Sequence, residues 1–290
     1  MEWVLRLWTH LMGDLPHWPE PERDDRLLMV VGLAACAALY LANGHPARGP
    51  MPYGIWRMLM FGGLPLCALA LWAAFIRGGS RLGAMLAAVM LCVPTLTRLL
   101  GEPNIFKEQP LLLLPGIIAM LLALAVVARS EESLADWGIG LGDWRWWLPR
   151  AAAFAGVVLV GVILTMNLSP EMAAFYPTYK PARTNLSMLL MKQLSLNLDF
   201  VGWELLFRGF LLFGIARRGD AGVAIWLQCI PFFLLHDHKP DVELLLSLPG
   251  GLIAGWFCLR ARSFVPIFLL HCFQMSAVNF VGFALRNGIP

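Results

Sequence analysis

Glu204 and Arg208 stand four residues apart in "DFVGWELLFRGFLLF" (Asp199–Phe213), a run otherwise apolar enough for lipid. A charge at the centre of a bilayer costs about 3 kcal/mol or more, so ionisable groups at that depth are a sign of function. Spaced i,i+4 on a helix, the two can offset each other's cost. Two histidines follow on later apolar runs. His236 closes "PFFLLH", and His271 opens "HCFQM" after an unbroken apolar stretch from Phe264. Between them, "HDHKPDVE" places Pro240 at a helix start and Glu243 just inside it, where the helix dipole favours a carboxylate. Gln274 and Asn279 fall about 60° and about 80° round the last helix from His271. A carboxylate able to take a proton from water, with imidazole or amide donors for an oxyanion, is what amide hydrolysis needs in a dry setting.

The elements that would position these groups are membrane helices. Of the 290 residues 59% are hydrophobic and 14% charged, against about half and about a quarter in soluble domains. Apolar runs at 27–43, 55–76, 82–100, 110–128, 150–166, 186–216, 221–236, 243–259 and 264–284 predict an all-α, polytopic transmembrane bundle of about eight or nine spans. The shorter runs, 150–166 and 221–236, are candidates for re-entrant or protein-buried segments. As an α-helix, the 186–216 run brings Gln193, Asn197, Glu204 and Arg208 within about 60° of one another. Such a stripe must face other helices or a cavity.

Three regions follow: an N-terminal cytoplasmic or interfacial segment (1–26), N-terminal transmembrane helices (27–133), and a polar-bearing core (134–290). Residues 1–26 mix charges and prolines and do not read as a signal peptide. Arg77 with Arg81, Arg145 with Arg150, Arg217 with Arg218, and Arg260 with Arg262 fall on one side if the spans alternate. That side is predicted cytoplasmic, with the N-terminus inside. The stretch Trp137–Arg150 reads as an aromatic and basic interfacial belt. Gly250, Gly251 and Gly255 read as close helix packing. The six cysteines, Cys36, Cys67, Cys92, Cys229, Cys258 and Cys272, all lie in apolar segments and read as buried thiols. A net charge of +3 with no basic run excludes a nucleic-acid partner.

Three short motifs in order resemble the CPBP family, the CAAX protease and bacteriocin-processing group of glutamic-type intramembrane endopeptidases. That family's pattern is E-E-x-x-x-R, then F-x-x-x-H, then H-x-x-x-N or D, on successive helices. Here "WELLFR" (Trp203–Arg208), "FFLLH" (Phe232–His236) and "HCFQM" (His271–Met275) are similar to them, and with "LADWGIGL" the resemblance covers about residues 134–284. Trp203 stands where the family's first Glu, its usual water-activating base, would be, and Met275 where its Asn or Asp would be. The form "W-E-x-x-x-R-G", together with a histidine followed by "K-P-x-x-E" as in "HDHKPDVE", resembles a variant branch of the same family.

The resemblance implies hydrolysis of a peptide bond in a membrane-associated substrate, exported or prenylated. Glu204 would activate water with help from His236, and Arg208 would hold Glu204. His271 with Gln274 or Asn279 would stabilise the oxyanion. Glu243 is a second candidate carboxylate, orienting His236 or acting on water itself. No cofactor is implied. His236, His271 and Glu204 are the alternative ligands were a metal present, although no H-E-x-x-H occurs. An inactive immunity or regulatory scaffold and a transporter are the competing readings. The expected setting is a bacterial inner (plasma) membrane, with membrane lipid and the substrate as partners.

Overall fold

The computed structural model describes residues 132–217, 221–236 and 239–289, with a few isolated positions before them. Apart from those positions, segment 1–26 and the four spans expected between 27 and 128 lie outside the described residues, so the expected count of eight or nine spans does too. Among the described residues the chain is helical, without strands. The elements are α1 (Trp144–Leu168), α2 (Pro170–Phe175), α3 (Leu186–Glu204), α4 (Ala221–Leu234), α5 (Asp241–Ala261) and α6 (Val265–Arg286), with 3-10 turns at Leu134–Trp137 and Lys180–Arg183. After Glu204, α3 continues as a π-helix from Leu205 to Phe213 and closes with an α-turn, Gly214–Ala216.

Three of these helices, α1, α5 and α6, are long and apolar enough to cross a membrane. The 25 residues of α1 span about 37 Å, more than the hydrocarbon core of about 30 Å. The run expected at 150–166 is therefore a full-length helix. It turns Trp147, Ala151, Val162 and Met166 inward while Val157, Val160, Leu164 and Leu168 stay exposed. On α3, Leu186, Leu190, Leu194 and Leu198 form a second exposed stripe at four-residue steps. Lipid tails are as apolar as leucine, so such stripes cost nothing in a bilayer.

Helix α4 has 14 residues, about 21 Å, too short to span comfortably. It is enclosed by protein: Ala224, Ile225, Trp226, Gln228 and Cys229 are all buried. Against it lies α5, whose glycines permit the approach. A Cβ on Gly251 would stand 2.7 Å from Cys229 Sγ, and one on Gly255 would stand 2.9 Å from Gln228 Nε2. Gly250 faces open space, so two of the three glycines expected at this seam serve it.

Contacts gather the loops into two ends. At one, Asp143 N–H donates to Ala261 O at 2.8 Å and Phe264 N–H to Gly138 O at 3.1 Å, while Arg217 pairs with Glu132 at 2.8 Å. This end carries Arg145, Arg150, Arg217, Arg260 and Arg262, while Arg77, Arg81 and Arg218 lie outside the described residues. Ser133 and Asp136 cap the first 3-10 turn reciprocally, and the hydrogen bonds from Ser133 hold the Asp136 carboxyl below its usual range. The expected aromatic belt divides here. Trp137 is wholly buried and stacks on Phe210 at 5.6 Å, and Trp147 is buried as well. Trp144 stays exposed, and Trp146 receives the guanidinium groups of Arg150 and Arg260.

At the other end, arginines cap the carbonyls that close α2. Arg286 Nη2 donates to Ala173 O and Ala174 O, both at 2.7 Å. Arg183 Nη2 reaches Ala174 O and Phe175 O. Cations at a helix C-terminus are favourable, and here they fix the segment that carries Tyr176.

Candidate active site

Glu204 is the last α-helical residue of α3, and the π-helix begins after it. A regular α-helix was expected through Arg208; instead the backbone widens at the residues of interest, as π segments commonly do at functional sites. All nine π residues are buried. Phe210 lies on Trp137, and Gly209 faces Leu205 Cδ1 and Trp137 O, where a Cβ would meet them at 2.8 and 3.4 Å.

Glu204 and Arg208 are 0% and 1% exposed, so the pair does sit inside the bundle. Glu204 Oε2 lies 3.5 Å from Arg208 Nε. That is an ion pair without hydrogen-bond geometry, and among the described residues Oε2, Nε and Nη1 have no hydrogen-bond partner. Phe232 supplies other compensation: the guanidinium carbon sits 4.1 Å from its ring centroid and 5.8 Å from that of Phe207. Trp203, half-buried, lies 4.8 Å from Phe207 and 6.2 Å from Phe232. It closes an aromatic wall around Arg208.

His271, from α6, reaches the same carboxylate. Its Nδ1 lies 2.7 Å from Glu204 Oε1, and its ring stacks on Phe200 at 4.0 Å. With Nδ1 donating to Oε1, the tautomer is set and Nε2 is left as the ring's second site. His236 follows α4 after one turn residue. Its Nδ1 contacts Phe232 O at 2.7 Å, and because a carbonyl can only accept, Nδ1 is the donor and Nε2 keeps its lone pair. The His236 ring lies 4.5 Å from that of Phe232, the same ring that receives Arg208. The structure thus brings Glu204, Arg208, His236 and His271 into one neighbourhood.

Glu243, in the first turn of α5, belongs to an adjoining cluster. Tyr176 O–H donates to its Oε2 at 2.5 Å, and Lys239 Nζ lies 3.1 Å from its Oε1. Both oxygens are engaged. Burial pushes the Tyr176 phenol well above its usual range, with the Glu243 charge and hydrogen bond acting in the same direction, so Tyr176 stays protonated and donating. The fields of Glu243 and Lys239 reach His236.

The two amides separate. Gln274 is exposed on α6. Asn279 is buried and donates to Gln193 Oε1 at 2.9 Å, while Gln193 Nε2 donates to Asn197 Oδ1 at 2.8 Å. The polar stripe therefore does face a neighbouring helix, but Asn279 is spent on binding α3 to α6, about 12 Å along the helix from His271. Met275, where the third motif has Asn or Asp, is buried in an apolar cluster with Met166, Met172, Tyr176 and Val278. Among the described residues, no group of three His, Cys, Asp or Glu side chains is arranged to hold a metal, Glu204, His236 and His271 included.

Sequence reasoning did not single out Tyr176, Lys239 or Phe200. Lys239 had a signal in "HKPDVE", whereas Tyr176 had none beyond being aromatic. It also left out Lys192, buried with Ser195 and Asp199 on a second polar face of α3. Cys229 and Cys258 are buried and Cys272 half-buried, and none of the three is in a disulfide among the described residues.

Apolar spanning helices around a buried carboxylate, guanidinium and imidazoles define an integral membrane protein with an intramembrane polar centre. Residues 187–276 match the family model described as type II CAAX prenyl endopeptidase Rce1-like. The match is consistent with the CPBP family and suggests a CAAX-type intramembrane protease. It holds Glu204, Arg208, His236, Glu243 and His271 but neither Asn279 nor Tyr176, and it is shorter than the 134–284 over which the resemblance extends. No curated protein and no solved structure matches the chain.

Proposed function

We propose that the protein is an intramembrane endopeptidase that hydrolyses a peptide bond of a membrane-associated substrate by glutamate-activated water. The observation that carries this reading is the division of labour within one buried carboxylate. Glu204 Oε1 is taken by His271, and Oε2 has no hydrogen-bond partner among the described residues. Oε2 is the oxygen that accepts the proton of the attacking water. His236 Nε2, the acceptor nitrogen of that ring, assists by holding that water or relaying its proton. In its doubly protonated form His271 gives Nδ1–H to Glu204 and presents Nε2–H to the oxyanion, its orientation fixed by Glu204 and Phe200, and the proton taken from the water goes to the leaving amine as the C–N bond breaks. Arg208 balances the carboxylate and keeps it aimed across the bundle. Glu243 has both oxygens occupied, which favours Glu204 as the base. The family description favours a prenylated substrate; the orientation expected from the loop arginines, which puts His236 at the side opposite the cytoplasmic one, favours an exported, lipid-anchored one.

The test is cleavage by the full chain in nanodiscs of two quenched fluorescent peptides, one with a farnesylated C-terminal CAAX sequence and one with an N-terminal acyl anchor. Glu204→Gln is expected to lower turnover by about 10²–10⁴, the range of general-base catalysis. Unaltered turnover in Glu204→Gln would remove the base assignment. Absence of cleavage of either probe by the wild type, with ion-gradient-driven uptake instead, would favour transport.

A further inference from the structure

We infer that Tyr176 is a positioning residue for this hydrolysis, joining Lys239 and Glu243 in a latch that fixes the turn bearing His236. The inference rests on the reading of His236 as the group that assists Glu204.

The hydrogen bonds in the latch can run in one sense only. An ammonium only donates, an ionised carboxylate only accepts, and a phenol has one proton to give. Lys239 Nζ therefore donates to Tyr176 Oη at 2.6 Å, and Tyr176 O–H donates to Glu243 Oε2 at 2.5 Å. Lys239 Nζ and Glu243 Oε1, 3.1 Å apart, close the ring. Charge assists every bond in it. The ammonium also stands 5.1 Å from the Tyr176 ring centroid and 5.7 Å from that of Phe175.

The latch acts on His236 through the backbone. Lys239 N–H donates to His236 O at 2.9 Å, so the residue whose side chain is clasped also holds the histidine's carbonyl. On the other side, the imidazole is bound to Phe232 O. His236 is thus fixed from α4 and from the latch. Tyr176 is in turn held by elements far away in sequence. Arg286 Nε donates to Tyr176 O at 3.2 Å, and Arg183 Nε donates to Pro177 O at 2.8 Å. Gly282 leaves room for the Tyr176 backbone, since a Cβ there would stand 3.0 Å from its carbonyl oxygen. Tyr176 lies ahead of the family-matched stretch, so the latch ties a segment outside that stretch to its F-x-x-x-H motif.

The test compares the full-length wild type with Tyr176→Phe, which keeps the ring and removes the hydroxyl, and with Lys239→Met and Lys239→Arg. Amide hydrogen exchange in nanodiscs is expected to accelerate in peptides covering 236–243 for Tyr176→Phe and Lys239→Met, and to stay slow in the α5–α6 core. With either fluorescent probe, kcat should fall about 10- to 100-fold while KM stays within about twofold, the size of a misplacement near 1 Å. Lys239→Arg should retain more turnover than Lys239→Met. Wild-type exchange in Tyr176→Phe overturns the latch. Faster exchange with unchanged kcat shows a structural tie only and overturns the positioning role. Full turnover in Tyr176→Phe beside an inactive Glu204→Gln sinks this inference and leaves the hydrolase reading standing. If the wild type cleaves neither probe, the hydrolase reading and the positioning role fall together, and exchange still decides whether the latch exists.

Discussion

Neutralising Glu204 and Arg208 separately and together distinguishes a pair retained for catalysis from one retained for packing. Their 3.5 Å separation gives an attraction of about 5 kcal/mol at an effective dielectric of about 20. Removing one partner of a buried pair costs about 3–5 kcal/mol, mostly because the other charge is stranded. Two features of the site soften Glu204→Gln. The amide oxygen still accepts from His271 Nδ1, and Arg208 keeps the Phe232 face at 4.1 Å, a contact worth about 2 kcal/mol when desolvated. The expected loss is therefore about 3 kcal/mol, at the low end of that range. Glu204→Gln/Arg208→Met strands no charge and should lose about 1 kcal/mol or less, since apolar replacement of a buried pair is often near neutral. Unfolding in mixed micelles, followed by tryptophan fluorescence, measures the cycle, with probe cleavage measured in parallel. Stability should return in the double variant while cleavage stays at the Glu204→Gln level. Singles that simply add in the double would show that the charges do not interact. A double variant that regained cleavage would show that Glu204 is not the base.

The two ends and the α4–α5 seam give further expectations. Gly251→Ala and Gly255→Ala should each cost about 1–3 kcal/mol, because the new Cβ meets Cys229 or Gln228. Gly250→Ala, with nothing in reach, should be neutral or gain up to about 1 kcal/mol of helix propensity; equal losses at all three in the same unfolding assay would refute the seam. Gly142 has φ +53°, and a Cβ there would collide with Ala261 O, so Gly142→Ala should part the Asp143–Ala261 hydrogen bond and lower the unfolding midpoint more than any of those three. For Tyr176, the raised folded pKa means that its contribution to stability is complete below the unfolded value near about 10 and is lost as pH rises through the folded one. Absorbance titration should therefore find the same number of tyrosinates in wild type and Tyr176→Phe until the chain unfolds, and an extra tyrosinate in the wild type near pH 10 would contradict that.

What the sequence reveals depends on the range of the interaction concerned. Helices at 150–166, 243–259 and 264–284 are legible because burial in lipid imposes long apolar runs. The Glu204–Arg208 pair is legible because a charge in such a run has no cheap alternative. His271 is legible for the same reason, although its bond to Glu204 spans 67 positions and only the fold reveals it. The π-helix is not legible: "LLFRGFLL" satisfies an α pattern, and the widening accompanies packing on Trp137, a residue that sequence reading places in an interfacial belt. Angular position on a wheel misjudges the amides of α6. Gln274 and Asn279 both flank His271 in projection, but one is exposed and the other lies two turns away, bound to Gln193. Tyr176 escapes notice because its role comes from Arg183, Arg286 and Gly282, none of which is its neighbour in the chain.

The place of Trp203 follows from charge balance. A second carboxylate at this position would put two negative groups beside Arg208, the one buried arginine among the described residues, with the faces of Phe207 and Phe232 close by. Aromatic faces carry a negative quadrupole and disfavour an anion, whereas the cation already between them is stabilised. With Trp203 in place, Glu204 and Arg208 balance each other, and the indole packs against the two rings that flank the guanidinium. A site with one carboxylate needs another group to handle the second proton of a hydrolysis. On the proposed reading that group is His236, whose Nδ1 is tied to the carbonyl of the same Phe232 that supports Arg208. On that same reading, Trp203 in place of a second carboxylate leaves proton handling to Glu204 and His236, and turnover is expected to follow the placing of His236 more closely than the side chain at residue 203.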